Sequence, residues 1–131
     1  MTDATRARLL RAADGLVYTS EGDAPFEWVE LGAAQALTPE GFRALAGAEP
    51  GTRVEEVPLD RFFAGHIEES DPADPAAQAL RARYQALRDA LRDSLAEVSV
   101  FRVGEVEIRC YVVGRTPGGT LAGLATTAWE T

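Results

Sequence analysis

Residues 98–131 read V-S-V-F-R-V-G-E-V-E-I-R-C-Y-V-V-G-R-T-P-G-G-T-L-A-G-L-A-T-T-A-W-E-T, and this stretch decides the fold. Two long alternating runs, 105–113 and 120–129, flank a turn rich in Gly and Pro, which is the pattern of a β-hairpin. The sequence ends two residues after the second run. We therefore expect Thr131 to be held in place by its own strand, whereas most chain ends are frayed.

Alternate residues of the first run share a face of the predicted sheet. Val106, Ile108, Cys110 and Val112 face one way, and Glu107, Arg109, Tyr111 and Val113 face the other. Further strands are predicted at residues 26–31, 54–59 and 99–103. In the first of these, Phe26 and Trp28 share one face.

Apolar residues at three- and four-residue spacing predict the longest helix. They are Leu80, Tyr84, Leu87, Leu91, Leu95 and Val98. Shorter helices are predicted at 4–13, from Thr38 to near Gly47, and at 59–63. Thr38 is a good N-cap, and Pro39 suits the first helical position.

Helices combined with a mostly antiparallel sheet indicate the α+β class, with helices on both faces of the sheet. The chain has 131 residues, a length typical of one domain, and contains no internal repeat or low-complexity linker. We therefore expect a single domain over residues 1–131.

The charge balance is acidic, with 13 Lys and Arg residues against 21 Asp and Glu residues. Nucleic-acid binding needs clustered positive charge, so this balance argues against a direct nucleic-acid ligand. It favours a basic partner instead, because opposite fields accelerate encounter.

One cysteine, Cys110, excludes an internal disulfide framework and a cysteine-rich metal site. Its place in the middle of a strand predicts a small buried side chain. The first eight residues, M-T-D-A-T-R-A-R, contain no apolar run, so we expect no signal peptide, no membrane span and a cytoplasmic location.

Residues suited to catalysis are scarce. The one histidine, His66, falls in a predicted polar loop over 65–75, with no catalytic serine or cysteine pattern beside it. No phosphate-binding glycine motif exists: Gly114, Gly118, Gly119 and Gly123 lie in or next to the hairpin turn, where glycine supplies backbone freedom. We expect no enzymatic activity and no cofactor; an enzyme that uses Glu21 and Asp23 on a small molecule has the least support.

Acidic residues concentrate in two predicted loops. Glu21 and Asp23 lie in one, and Glu68, Glu69, Asp71 and Asp74 lie in the other. Each acid alone is most simply a solvated surface charge. Two such loops and a terminal carboxylate together fit a surface that imitates the charge of a polyanion.

Several segments, in order along the chain, resemble the nuclease A inhibitor family. They are 13–16, 20–21, 24–27, 60–63, 102–107, 111–114, 116–117, 121–123 and 130–131. The resemblance is densest in the C-terminal block and weakest over 31–53 and 66–80.

That resemblance implies an α-β-α sandwich similar to PR-1 plant proteins. It also implies a protein that blocks a magnesium-dependent, sugar-nonspecific ββα-metal nuclease of DNA and RNA by occupying its active site. The positions that match the family's contacts are Ser20, Glu21, Asp71, Glu130 and Thr131. Of these, Thr131 would approach the metal of the partner nuclease.

The chain departs from the family at Pro72, where the best-known member has a tryptophan. Aromatic anchors dominate many interfaces, so this departure leaves a second interpretation open. The alternative is a non-catalytic protein-binding or regulatory module that retains the scaffold without the nuclease target.

Overall fold

The elements form an α+β fold built on an antiparallel sheet, which confirms the predicted class. A computed structural model describes residues 2–33, 37–68 and 71–131. The helices in these ranges are α1 (Thr2–Ala13), α2 (Pro39–Leu45), α3 (Leu59–Glu68) and α4 (Pro75–Ser94). The strands are β1 (Val17–Thr19), β2 (Asp23–Pro25), β3 (Glu27–Ala33), β4 (Val54–Val57), β5 (Ala96–Val103), β6 (Glu107–Arg115) and β7 (Thr120–Trp129).

Five strands form the main sheet in the order β3-β7-β6-β5-β4, and every neighbouring pair is antiparallel. The predicted hairpin is its centre: β6 and β7 pair from Glu107↔Trp129 to Arg115↔Leu121. The register places the end of β7 beside the start of β6. The hairpin prediction is therefore confirmed.

Helices cover both faces of the sheet. Helices α1, α3 and α4 pack on one face, where Ile108, Cys110 and Val112 belong to the larger apolar cluster. Helix α2 packs on the other face through Phe42, which stacks on Phe101 with 4.4 Å between ring centroids. The alternation predicted for β6 is confirmed for these residues.

Val106 is an exception to that alternation. It precedes β6, in the turn that follows Gly104, and is 58 % exposed. Gly104 has a φ of 115°, a left-handed conformation that glycine adopts without steric cost, so the chain turns sharply there. The prediction that Val106 lies in the strand and shares the face of Ile108 is wrong, because the strand starts at Glu107 and not at Glu105.

Helix α4 confirms most of the predicted apolar stripe. Asp74 caps its first turn by accepting hydrogen bonds from the Ala76 and Ala77 amides, and Tyr84, Leu87 and Leu91 are buried. Leu80, however, is 49 % exposed, and Val98 lies on β5. Both positions fit the spacing, but no element covers Leu80 enough to bury it, and the helix ends at Ser94.

Helix α3 is longer than predicted, because Ile67 is buried and continues the apolar face begun by Leu59, Phe62 and Phe63. His66 and Glu68 are consequently on a helix, and the loop predicted over 65–75 is wrong in its first part. Glu69 of that predicted loop lies outside the described residues.

Strands β1 and β2 form a short hairpin that is a separate two-stranded sheet, and this hairpin was not predicted from the sequence. It docks on β7, where the buried Thr126 hydroxyl donates to the Ala24 carbonyl at 3.2 Å. This contact brings the turn at residues 20–22 to the end of β7. No helix in the described ranges is long and apolar enough to cross a membrane.

Gly123 tests the close packing of the central strands. A Cβ there would lie 1.9 Å from the Val112 carbonyl oxygen, so a side chain forces the backbones apart. We expect Gly123→Ala to lower the free energy of unfolding by about 1–3 kcal/mol in urea denaturation. The control is Gly65→Ala in α3, where nothing lies within 4 Å and alanine favours the helix. Equal stability of the two variants would contradict this packing.

Candidate functional site

Glu21 and Thr131 are 110 residues apart in sequence and directly hydrogen-bonded. The Thr131 amide donates to Glu21 Oε2 at 2.6 Å, and the Thr131 hydroxyl donates to Glu21 Oε1 at 2.8 Å. Both residues are exposed. One carboxylate thus holds the last residue through both its backbone and its side chain.

Ser20 and Gly22 contact Trp129, two residues before Thr131. The Trp129 amide donates to Ser20 Oγ at 2.9 Å, and the Glu21 amide donates to the Trp129 carbonyl at 3.3 Å. Gly22 lies against the indole, since a Cβ there would be 2.9 Å from Trp129 Cε3. Residues 20–22 and 129–131 therefore interlock, and we call them the terminal clamp.

Glu130 is held from the opposite side of the chain. Its amide donates to the Val106 carbonyl at 2.9 Å, and its carboxylate pairs with the Arg102 guanidinium. Arg102 also pairs with Glu55, at 3.1 Å between Nη1 and Oε1. The Glu130 carboxylate is thus engaged within the protein.

Asp71 stands apart from this cluster. Its carboxylate accepts from the Ala73 amide at 2.9 Å, and its carbonyl accepts from the Gln78 side chain at 2.9 Å. These contacts order the loop that leads into α4. Across the described ranges, the structure records no contact between Asp71 and the terminal clamp. Four of the five predicted site residues therefore meet, and the fifth lies in a separate loop.

His66 supports the clamp in a way that the sequence interpretation missed. The Thr19 amide donates to His66 Nε2 at 3.0 Å, one residue before Ser20. The imidazole lies between the rings of Tyr18 and Tyr84, at centroid distances of 4.8 and 4.7 Å. A signal was available: His66 continues the three- and four-residue spacing of the α3 apolar face.

The pKa values of Glu21 in the clamp and of Cys110 in the core are shifted in opposite directions, for different physical reasons. The hydrogen bonds from the hydroxyl and the amide of Thr131 lower the pKa of the Glu21 carboxyl from its usual value, and the hydroxyl has the larger effect. Burial raises the pKa of the Cys110 thiol to about 11, so the thiol stays protonated at neutral pH and is a poor nucleophile. Within the described residues, no group of three His, Cys, Asp or Glu side chains is arranged to hold a metal ion.

A family model described as nuclease A inhibitor-like protein matches residues 3–131, nearly the whole chain. The match includes both halves of the terminal clamp. No curated protein matches the sequence.

The lowered pKa of Glu21 gives a direct test of the clamp. In a 13C NMR titration we expect the pKa of its carboxyl to lie below the usual value of a glutamate. Because the folded-state pKa is depressed, the contact stabilises the fold above the unfolded-state pKa, and this contribution is lost as pH falls through the folded-state pKa.

The matched variant is Thr131→Val, which removes the hydroxyl donor and keeps the amide donor. We expect the pKa of Glu21 to rise toward the usual glutamate value without reaching it, because the amide hydrogen bond remains. An unchanged pKa in Thr131→Val would show that the hydroxyl does not bind Glu21 in solution.

Proposed function

The chain belongs to the nuclease A inhibitor-like family, and from this we propose that it inhibits a magnesium-dependent, sugar-nonspecific endonuclease of DNA and RNA by inserting the terminal clamp into the active site. Family membership supports a nuclease inhibitor in general. The observation that carries the finer proposal is the pair of hydrogen bonds by which Glu21 holds Thr131.

Thr131 has the chemistry that a magnesium site accepts. Mg²⁺ prefers oxygen ligands and keeps several coordination positions for water and substrate phosphate. Thr131 offers a hydroxyl oxygen and, where it ends the chain, a carboxylate. We propose that this residue approaches the metal of the nuclease, directly or through a bound water, in place of a phosphate oxygen.

Order in the free protein favours this binding. A frayed end loses conformational entropy when it binds, whereas an end already held loses little. Thr131 is held by Glu21, and the preceding residues are held by Ser20 and by Val106. The clamp is therefore preorganised for a narrow active site.

Acidic side chains surround the clamp and suit a basic groove. Glu21, Asp23 and Glu130 are exposed at or next to it, and Glu105 and Glu107 flank Val106 in the adjacent turn. A nuclease that binds polyanions presents positive charge around its metal, so the protein's net charge of -8 steers the two together.

The remaining residues have supporting roles in this proposal. Glu21 has lone pairs left to accept a hydrogen bond from a basic or histidine side chain of the nuclease. Asp71 makes a second contact from the loop before α4. Because Pro72 supplies no aromatic anchor there, the clamp carries most of the affinity within an interface of about 800 Å² per partner.

Inhibition assays against a magnesium-dependent, sugar-nonspecific nuclease test the proposal. We expect the parent protein to inhibit stoichiometrically and deletion of Thr131 to weaken inhibition about 100-fold, or ~2.7 kcal/mol. Glu21→Gln should cost at least about tenfold, because one of its two acceptor oxygens becomes a donor group. Asp71→Asn should cost less than the deletion.

Glu49→Gln is the charge-matched control, because it changes the net charge by the same amount as Glu21→Gln. Glu49 is exposed in the loop after α2. It should inhibit as the parent does. Equal inhibition by the parent and the Thr131 deletion would refute the clamp mechanism. No inhibition by the parent would refute this class of target and favour a binding module with another partner.

A further inference from the structure

Arg102 occupies an unusual place for a charged side chain. It lies on β5, paired with Glu55 on one side and with the buried Cys110 on the other. Only 22 % of its side chain is exposed. A guanidinium taken this far out of water is costly unless carboxylates and hydrogen bonds compensate it.

Two carboxylates meet this need, and they come from distant parts of the chain. Glu55 lies on β4, and Glu130 lies between the end of β7 and Thr131. Tyr18, Phe62, Arg102 and Glu130 line one surface depression, so the ion pair lies beside these two aromatic residues. The ion pair between Arg102 and Glu130 thereby connects β5 with residues 129–131 of the terminal clamp.

Among the described residues, no other arginine of the sheet combines such low exposure with carboxylate partners on a neighbouring strand and after the end of β7. Arg109 also bridges strands, with Glu27 at 3.1 Å, but its side chain is 34 % exposed and its partner lies on β3. Removing Arg109 changes the net charge as much as removing Arg102 does. Removing Arg102 leaves the Glu130 carboxylate without a cation, although Glu55 still pairs with Arg53 at 3.6 Å between Oε2 and Nη2. Glu130 then lies near a second carboxylate with no positive charge of its own, which disfavours its position.

We propose that Arg102 is a positioning residue: its ion pair with Glu130 sets the direction in which the chain leaves β7, and so the place where Glu21 holds Thr131. Glu130 acts through the same pair and not as a direct contact to the partner. The predicted effect on inhibition rests on the proposed function, whereas the effect on the free protein does not.

The two contacts of Glu130 explain how the pair acts. Its amide is bonded to the Val106 carbonyl, so its backbone is held at one point, and its side chain is held at a second by Arg102. Together with the covalent link to Trp129, these two attachments fix the orientation of Glu130, whereas the amide hydrogen bond alone leaves it free to rotate. Thr131 follows immediately and inherits that orientation.

The test on the free protein compares Arg102→Gln with Arg109→Gln by 15N relaxation. We expect the heteronuclear NOE of Glu130 and Thr131 to fall by at least half in Arg102→Gln and to stay at the parent value in Arg109→Gln. Glu130→Gln removes the same pair at an exposed position and should reproduce the loss, which keeps the test valid if Arg102→Gln does not fold.

Arg102→Lys separates positioning from loss of charge. A lysine keeps the cation but lacks the planar fork that binds two carboxylates at once. We expect its NOE values and its inhibition constant to lie between those of the parent and of Arg102→Gln. The double variant Arg102→Gln/Glu130→Gln should lose no more order than either single variant, because both act through one pair.

The inhibition constant is measured in parallel, with an expected tenfold increase for Arg102→Gln and no change for Arg109→Gln. Loss of order with weaker inhibition supports both proposals. Loss of order with unchanged inhibition supports the positioning role and refutes the clamp as the inhibitory element. If the heteronuclear NOE of Thr131 in both Arg102→Gln and Glu130→Gln equals that of the parent, the positioning role is overturned, whatever the inhibition constants are.

Discussion

The antiparallel register between β6 and β7 is the constraint on which the other elements depend. Each inner strand has hydrogen-bonded neighbours on both sides, so a slip of one residue would exchange the two faces of the sheet and expose both apolar clusters. Gly123 tightens this constraint, because the Val112 carbonyl occupies the space of a Cβ. The pair Glu107↔Trp129 then fixes where β7 ends, beside the turn that contains Val106.

The terminal clamp follows from that endpoint. The β1–β2 hairpin docks on β7 and delivers Ser20 and Glu21 from one side, while Arg102 reaches Glu130 from the sheet. Two carboxylates thus fix the same three-residue segment: Glu21 accepts hydrogen bonds from Thr131, and Glu130 pairs with Arg102. The acidic side chains of this surface therefore also have a structural role, because Glu21 and Glu130 position Thr131.

Periodicity predicts the parts of this fold that repeat. The alternation in β6 and the apolar stripe of α4 span several turns or residue pairs, and both were predicted to within a few residues. The β1 and β2 strands have three residues each, too few to show a period, and were missed. Gly65 and the polar residues from His66 onward made the second half of α3 resemble a loop, although His66 and Ile67 continue its three- and four-residue spacing.

Long-range contacts of the site were beyond periodicity for a different reason. The sequence places Glu130 next to Thr131 and shows that both are polar, but the pair with Arg102 depends on where β5 lies in the sheet. The family resemblance indicated that Glu21 and Thr131 both match positions at which the family contacts the nuclease. Their hydrogen bonding within one chain, and the support of Thr19 by His66, required three-dimensional coordinates.

The most direct measurement replaces Mg²⁺ with Mn²⁺ in the target nuclease and records paramagnetic broadening in the 15N-labelled inhibitor. If the clamp enters the active site, the amides of Thr131 and Glu21 broaden most. Those of the β6–β7 turn at residues 116–119, at the opposite end of the sheet, keep their intensity. Broadening centred on that turn, or on any surface away from the clamp, would contradict the account.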